Sequence, residues 1–442
     1  MLIKKNLSCC LKENQIIIMF VHSNILTEAA GVEKYVLNEI NLLNKHGIGA
    51  VVVFPLRNSD SFFDRSFLTN YYGVIYNNKI ISCLDKRELV DEINGLNNYK
   101  IHVLEIHLHH TKNYDIDDLQ WILSKIDGKI KYFIHDFYSV CKSGIMLKNN
   151  MNFCGLGPVS REKCYTCKFY GTSVKYAKKM HLFIKSLLPN LEVIGPSEST
   201  KKIWMSVFGD LGIEFIVIPH LKIEIISVAT QEKSLNCKEK IKIAFAGAPI
   251  SHKGWHEFVD ITNEIKSEYY EFYHFGVEPR QTGNWQEKYV TYLDGGKNAM
   301  IDALKEKSID MVLLLTHCAE TYCYTLYESI CAHTWIIALK NSGNVEDTVH
   351  KYECGRVFEN LNELYGYLNN VQAVRDDVSN NKKFWNQKDT VCSTNDELLK
   401  HISREIHEDS NKVETSRLKL HPVVNAVYRL KMCKRNMTRG RV

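Results

Sequence analysis

The stretch Asp310-Met-Val-Leu-Leu-Leu-Thr316, followed closely by Glu320-Thr-Tyr-Cys-Tyr-Thr-Leu-Tyr-Glu328, decides the fold of this chain. Its continuous apolar run predicts a strand buried on both faces, and the residues after it predict a helix. On one unbroken helix the two glutamates would lie about 80° apart, at roughly 3.6 residues per turn. The two carboxylates can reach one ligand more easily if Glu320 lies in the loop after the strand and Glu328 lies about one turn into the helix. Thr325 and Glu328 also form a capping-box pattern, so a purely structural role for Glu328 stays open.

The same alternation of strand and helix continues in both directions from this stretch. It predicts a parallel α/β architecture with two doubly wound Rossmann-like domains that face a cleft. We place the first domain at residues 1–205, the second at 206–405, and a basic C-terminal helical tail at 406–442. Strands are predicted at 15–22, 49–55, 80–84, 101–106, 130–135, 191–196, 215–219, 241–246, 271–275, 290–293, 311–315 and 335–339, and helices at 32–46, 87–93, 117–126, 199–207, 255–265 and 298–307.

Length and composition agree with a two-domain globular protein. The chain has 442 residues, of which 45% are hydrophobic and 24% charged, and it has no apolar run long enough to span a membrane. The first residues lack the features of a signal peptide, so we expect a cytoplasmic protein. The 14 cysteines are then expected to be reduced thiols. A net charge of +5 does not indicate a nucleic-acid partner.

The positive charge is concentrated near the C-terminus. Residues 412–442 contain nine Lys and Arg but a single Glu, interleaved with apolar side chains. Such a basic amphipathic segment could contact the inner face of the plasma membrane. A solvated terminal helix or a disordered tail is the alternative.

Two further strand–helix junctions carry small residues. Ala30-Gly31 opens the helix after the first strand, and Ala246-Gly247 leads to Lys253 at another helix entrance. Small residues let backbone N–H groups approach a phosphate closely, and a lysine can neutralise a diphosphate. Either junction could equally be an ordinary tight turn. Neither has the G-x-G-x-x-G pattern, so a nicotinamide dinucleotide is not indicated.

Strand-end polar residues mark the other side of the predicted cleft. His135-Asp136 ends a strand of the first domain, where a histidine could contact a sugar hydroxyl or a leaving phosphate, or could simply be a buried histidine. The nearby histidines at 107, 109 and 110 have no spacing typical of a metal site.

A loop rich in cysteine follows His135. Its spacing permits a structural zinc, because one pair has the Cys-x-x-Cys pattern, and free or redox-active thiols are the alternative. The four thiols are Cys141, Cys154, Cys164 and Cys167.

Taken in order, these segments resemble glycosyltransferase family 4, the retaining nucleotide-sugar enzymes with the GT-B fold. The resemblance runs from about residue 16 to residue 371, and the Cys-rich loop is similar to a subset found in bacterial polysaccharide assembly of the O-antigen or capsule type. The matching segments are Ala30-Gly31-Val32-Glu33, His135-Asp136, Gly195-Pro-Ser197, Ile218-Pro-His220, Ala246-Gly247 with His252-Lys253-Gly254, Glu320 with Glu328, and Asn341-Ser-Gly343-Asn344.

The resemblance implies a metal-independent hexosyl or deoxyhexosyl transferase that needs no cofactor beyond its nucleoside diphosphate sugar. The implied acceptor is a hydroxyl of a growing polysaccharide or lipid-linked oligosaccharide. Residue by residue, the resemblance implies that Lys253 binds the diphosphate, Glu328 the ribose, and Glu320 the donor sugar, which His135 also faces. It further implies that Gly31, Gly247 and the backbone of Tyr322, Cys323, Tyr324 and Thr325 lie at the phosphates.

The chain departs from the family pattern at three places. Ala248 replaces the arginine that usually follows the glycine, Ala30 replaces the first residue of a glycine pair, and Ala332-His-Thr334 replaces a small-Gly-Pro segment. Two alternative functions therefore stay open. One is another nucleotide-sugar enzyme of the epimerase or phosphorylase class, and the other is a degenerate, non-catalytic binding protein.

Overall fold

The computed structural model describes residues 7–28, 30–56, 70–149, 152–229, 239–276 and 283–403. The predicted basic tail at 406–442 lies outside these ranges. None of the helices within them is both long and apolar enough to cross a membrane.

The first domain is built on an eight-stranded sheet in the order β10-β9-β6-β5-β1-β2-β3-β4, counting strands along the chain. Its strands are β1 Gln15–Phe20, β2 Gly49–Pro55, β3 Tyr71–Tyr76, β4 Lys79–Asp85, β5 His102–Leu108, β6 Lys129–Phe133, β9 Leu191–Gly195 and β10 Phe215–Val217. Its helices are α1 Gly31–Lys45, α2 Lys86–Asn94, α3 Ile116–Leu123, α4 Arg161–Cys164, α5 Tyr170–Leu187 and α6 Glu198–Phe208. Two separate apolar cores cover the two faces of this sheet.

The second domain is built on a six-stranded, wholly parallel sheet in the order β14-β13-β12-β15-β16-β17. Its strands are β12 Ile241–Ala246, β13 Tyr270–Gly276, β14 Gln286–Tyr289, β15 Met311–Leu314, β16 Trp335–Leu339 and β17 Gly355–Phe358. Its helices are α7 Trp255–Glu264, α8 Tyr292–Gly295, α9 Ala299–Glu306, α10 Tyr324–Cys331, α11 Asn344–Tyr352, α12 Leu361–Asn369 and α13 Val371–Trp385. Apolar cores again lie on both faces.

Two small two-stranded sheets complete the described chain. β7 Leu147–Lys148 pairs with β8 Asn152–Phe153, and β11 Leu221–Ser227 pairs with β18 Lys388–Thr394. The predicted fold class, two doubly wound α/β domains facing a cleft, is confirmed. The predicted domain boundary lies at residues 205–206, but strand Phe215–Val217 still belongs to the sheet of the first domain. The chain therefore passes to the second domain only after Val217.

Some local predictions differ from the structure. β3 was not predicted, and it forms an antiparallel hairpin with β4 through Asn77 and Asn78, which both have positive φ. Asparagine favours this conformation, which fits the right-handed twist of a hairpin. The strand predicted at 290–293 is wrong, because the strand is Gln286–Tyr289 and a short helix begins at Tyr292. This edge strand is mostly polar, so no apolar pattern reveals it.

Candidate active site

Glu320 lies in the loop between β15 and α10, as its spacing from Glu328 predicts. The loop is held by the neighbouring one, because Glu320 N–H donates to Ser342 O at 3.0 Å and Asn344 N–H donates to Glu320 O at 2.9 Å. The residue is only 9% exposed, and its Oε1 accepts from Thr316 Oγ1 at 3.1 Å. The backbone therefore fixes this carboxylate in place.

Lys253 reaches Glu320 from the turn between β12 and α7. Its Nζ lies 2.5 Å from Glu320 Oε1. Gly254, at φ +87°, makes this approach possible, because a Cβ there would lie 2.4 Å from Leu315 O. Burial alone would lower the pKa of Lys253, but the Glu320 carboxylate raises it overall. Lys253 is therefore a cation at neutral pH.

Glu328 makes no capping box. α10 begins at Tyr324 with Cys323 at the N-cap position and no side-chain cap, so Thr325 lies inside the helix. The Glu328 carboxylate instead accepts from Lys34 Nζ of α1, in the other domain, at 2.7 Å. Glu328 therefore belongs to a contact between the domains.

Lys34 is a site residue that the sequence reasoning missed. Its ammonium also lies 4.5 Å from the centre of the Tyr324 ring, an attractive cation–π arrangement. The sequence feature that could have indicated Lys34 is its position in the first turn of α1, three residues after Gly31. Only the tertiary structure brings it to Glu328.

Two helix N-termini meet between the domains. α1 begins at Gly31 and α10 at Tyr324, and neither has a side-chain cap. A Cβ on Gly31 would lie 3.9 Å from the Tyr324 ring, so the two helix ends are close neighbours. Cys323 N–H donates to Asn344 Oδ1 at 3.3 Å. One of the four backbone N–H groups predicted to bind phosphate, those of residues 322–325, therefore already has a partner.

A cavity of about 230 Å³ opens at these helix ends. Its lining includes eight predicted site residues: Gly31, Gly247, Lys253, Glu320, Tyr322, Cys323, Tyr324 and Thr325. A neighbouring cavity of about 260 Å³ shares Gly31, Gly247, Ala248, Tyr324 and Thr325 with it and adds Lys34 and Glu328. The two cavities form one groove between the domains, with a lysine–glutamate pair in each part.

His135 is not among the residues that line this groove. Its carbonyl accepts from Thr321 Oγ1 at 2.5 Å, which ties it to the residue after Glu320. Its Nε2 lies 3.1 Å from His109 Nδ1. Burial, with the neighbouring His110, lowers the pKa of His135 to about 3, so the ring is neutral at neutral pH.

A buried chain of charged residues continues behind His135. His109 Nε2 lies 3.6 Å from Glu39 Oε2, and Glu39 Oε1 lies 2.5 Å from His107 Nδ1. His107 Nε2 lies 3.1 Å from Glu105, which accepts from Lys131 Nζ at 2.6 Å. Burial alone would lower the pKa of His107, but Glu39 and Glu105 raise it. Lys131 Nζ also lies 3.2 Å from the carboxylate of Glu192, so three carboxylates, of Glu39, Glu105 and Glu192, surround His107 and Lys131.

The structure shows the surroundings of Ala248 and of His333 in the segment Ala332-His-Thr334. Ala248 lies on the wall shared by both cavities, where it supplies no charge. His333 stacks on Trp385 with ring centres 4.3 Å apart and lies 3.1 Å from Asp389, so it packs against the end of the domain.

Comparisons with known proteins identify similar folds only. No protein-family model matches this chain, and no curated protein matches it. Among solved structures, HepE from Anabaena in complex with UDP-glucose is similar at 11% identity and TM-score 0.49, over 85% of this chain and 95% of HepE. A glycosyltransferase from Rickettsia africae is similar at 14% identity and TM-score 0.47, over 83% of this chain and 94% of that one. The lipopolysaccharide outer core galactosyltransferase WaaB is similar at 10% identity and TM-score 0.45, over 83% of this chain and 95% of WaaB. At such values the likeness assigns no ligand and no reaction to this chain.

Proposed function

We propose that this chain is a retaining glycosyltransferase of the GT-B type. It would transfer a sugar from a nucleoside diphosphate sugar to a hydroxyl of a growing polysaccharide or lipid-linked oligosaccharide. One observation carries the proposal. Two uncapped helix N-termini, Lys253 and Glu320 converge on a single groove between two doubly wound domains.

The helix ends would hold the diphosphate. A helix N-terminus carries a partial positive charge and free N–H groups that bind phosphate oxygens. Lys253 would add a full positive charge beside them. Together they would stabilise the negative charge that develops on the departing diphosphate.

The two glutamates would hold hydroxyl groups of the donor. Glu320 would accept hydrogen bonds from the sugar and Glu328 from the ribose. Lys34 Nζ donates to Glu328, and a ribose that took over this carboxylate would release the ammonium toward the phosphates. Lys34 would then supply the positive charge that is missing at Ala248.

The chemistry needs no protein nucleophile. The bond from the anomeric carbon to the phosphate oxygen breaks, its electron pair stays on the phosphate, and the sugar passes through an oxocarbenium-like state. The acceptor hydroxyl attacks the anomeric carbon from the same face, and its proton goes to the departing phosphate. Configuration is therefore retained.

The acceptor would bind on the side of the first domain, near His135. The neutral ring of His135 could orient a sugar hydroxyl as the domains close. We place the enzyme in the cytoplasm, with the basic tail at 406–442 near the inner face of the plasma membrane.

A thermal-shift screen against UDP, GDP, dTDP and ADP sugars tests the proposal. A donor present at 100 times its Kd should stabilise the protein by about 2.7 kcal/mol. Lys253→Met should lose this shift, whereas Lys340→Met, which removes an exposed lysine paired with Glu359, should keep it. No shift with any of the four classes would contradict donor binding.

NMR of the product then tests catalysis and stereochemistry. Transfer with retention at the anomeric carbon is expected. A donor that binds and is never consumed, with any hydroxyl acceptor offered, would instead support the non-catalytic alternative. An inverted product would overturn the retaining mechanism.

A further inference from the structure

We propose that the four thiols of Cys141, Cys154, Cys164 and Cys167 bind a structural zinc ion. They belong to the segment between β6 and α5, where the described regular structure consists of two strands of two residues and one helix of four. Such a segment has little backbone structure to hold it in place. A metal ion that joins four points of the chain would supply the missing constraint.

The fold brings all four thiols to the wall of one small cavity. Its volume is about 10 Å³, enough for a single ion or water, and its other walls include Met146, Leu147, Val159 and Phe169. The thiols come from separate points of the segment, with a small hairpin between the first two. Convergence of four sulfur atoms from such separate points is more than sequence proximity would produce.

The Cys164-x-x-Cys167 pair has the turn that a metal site uses. Cys167 N–H donates to Cys164 O at 2.8 Å, which closes the turn and brings the two thiols to the same cavity. Cys154 is positioned by its N–H, which donates to Met146 O at 2.8 Å. Zn²⁺ takes four thiolates in a tetrahedral arrangement in sites of this kind.

Groups that could stabilise bound thiolates surround the cavity. Cys141 Sγ lies 3.4 Å from Ser143 Oγ and 3.5 Å from Ser173 Oγ, and either hydroxyl could donate to a thiolate. Lys163 also lines the cavity, and its Nζ is held by the carbonyls of residues 155–157. Its positive charge would offset part of the double negative charge of a tetrathiolate zinc centre.

Glu39, His107 and His109 are the other potential metal ligands, and they lie closer together. Among the described residues, they form the group whose ligand atoms all lie within 4.8 Å of one another. Both ring nitrogens of His107 already face the carboxylates of Glu39 and Glu105, so neither is free to bind a metal, whereas Glu39 Oε2 and His109 Nε2 have no hydrogen-bond partner within the described part of the chain. No three of the four thiols lie within that limit of one another, so zinc binding would have to draw them together.

A zinc ion here would also stabilise one wall of the cleft. The segment includes His135-Asp136, and directly after them Phe137 N–H donates to Gly144 O at 2.9 Å. Cys141 N–H donates to Phe137 O, also at 2.9 Å. Fixing Cys141 therefore restrains the turn that follows His135. This inference does not depend on the transfer reaction.

Metal analysis of the purified full chain tests the proposal. We expect one zinc per chain in the wild-type protein and in Cys83→Ala, which removes a buried thiol of the same domain outside the cluster. Cys164→Ala should lose most of the zinc. Wild-type protein stripped of metal should bind Co²⁺ in equal amount, with the thiolate charge-transfer bands and intense d–d bands of a tetrahedral tetrathiolate site.

The cobalt titration keeps the test valid even if Cys164→Ala does not fold. Folded wild-type protein that carries no zinc and gives no thiolate–Co²⁺ bands would overturn the proposal. Equal zinc content in Cys164→Ala and wild type would overturn it as well. The proposal would also be overturned if Cys164 and Cys167 formed a disulfide in the metal-free protein and the reduced protein then bound no cobalt.

Discussion

At the scale of single residues, the groove contains two lysine–glutamate pairs that differ in whether they lie within one domain or join both. Lys253 and Glu320 both belong to the second domain, whereas Lys34 and Glu328 join the two domains. Removing one partner of a buried pair leaves the other charge without compensation. Single and double substitutions therefore separate the cost in stability from the loss of ligand binding.

Glu320→Gln and Lys253→Met should each weaken donor binding at least about tenfold, since one hydrogen bond to a charged group is worth about 1.5–3 kcal/mol. Each should also lower the free energy of unfolding by roughly 2 kcal/mol, below the range for fully buried pairs because Lys253 is partly exposed. Titration calorimetry and urea unfolding measure the two effects. The double variant should recover part of the stability but none of the binding. Full donor affinity in either folded single variant would contradict the proposed roles.

Lys34→Met should weaken donor binding about three- to tenfold if Lys34 turns to the phosphates, in line with about 1 kcal/mol for a partly exposed charge. The methionine keeps the length of the side chain and much of its packing against Tyr324. Calorimetry with the nucleoside diphosphate alone and with the free nucleoside separates phosphate from ribose contacts. Tighter binding in the variant would show instead that Lys34 merely blocks Glu328.

At the scale of elements, β5 and β6 carry charges inside the first domain. Glu105 and Lys131 are fully buried on neighbouring strands, and their side chains bond at 2.6 Å. Burial alone would raise the pKa of Glu105, but hydrogen bonds from His107 and Lys131 lower it to about 2. The strands therefore depend on a complete set of charges as well as on apolar packing.

Lys131→Met should lower the free energy of unfolding by about 3–5 kcal/mol, since Glu105 would lose its lysine partner in the interior. Lys131→Met combined with Glu105→Gln should recover much of that loss. Lys129→Met, on the same strand but exposed, is the matched control and should change stability little. Equal stability of Lys131→Met and Lys129→Met would show that the buried charges do not matter.

At the scale of the whole molecule, several histidines lie in surroundings that disfavour their charged form. Burial lowers the pKa of His22 to about 2 and of His135 to about 3, and it lowers the pKa values of His109 and His220 well below the usual 6.5. The native protein therefore binds fewer protons than the unfolded chain at mildly acidic pH. Burial also lowers the pKa of His252, whereas the raised pKa values of His107 and His317 act in the opposite direction, as two groups against five.

The stability of the protein should accordingly fall as the pH falls below about 6.5. Each histidine that takes up a proton on unfolding contributes about 1.4 kcal/mol per pH unit. His220→Phe keeps the contacts with Tyr35 and Tyr322 and should reduce this slope by about one such contribution. His46→Phe, at an exposed position, should leave it unchanged. Urea unfolding between pH 7 and pH 5 measures the slopes, and equal slopes in all three proteins would contradict this explanation.

The sequence by itself determined the fold class and most of the strand–helix units. Apolar runs such as Met311–Leu314 and the helical spacing of α1 are local patterns, and burial follows from them directly. The same local order placed Glu320 in a loop and Lys253 at a helix entrance. Polar edge strands such as β14 were not predicted, because their side chains face solvent and show no periodic pattern of apolar residues.

Only the tertiary structure decided which partners the site residues have. Lys34 and Glu328 are separated by 294 positions, and their contact exists because two domains pack together. The structure also linked His135 to His109 and Glu39, and gathered four thiols around one cavity. A sequence pattern reports the surroundings of each residue along the chain, whereas charge pairing depends on distances across the fold.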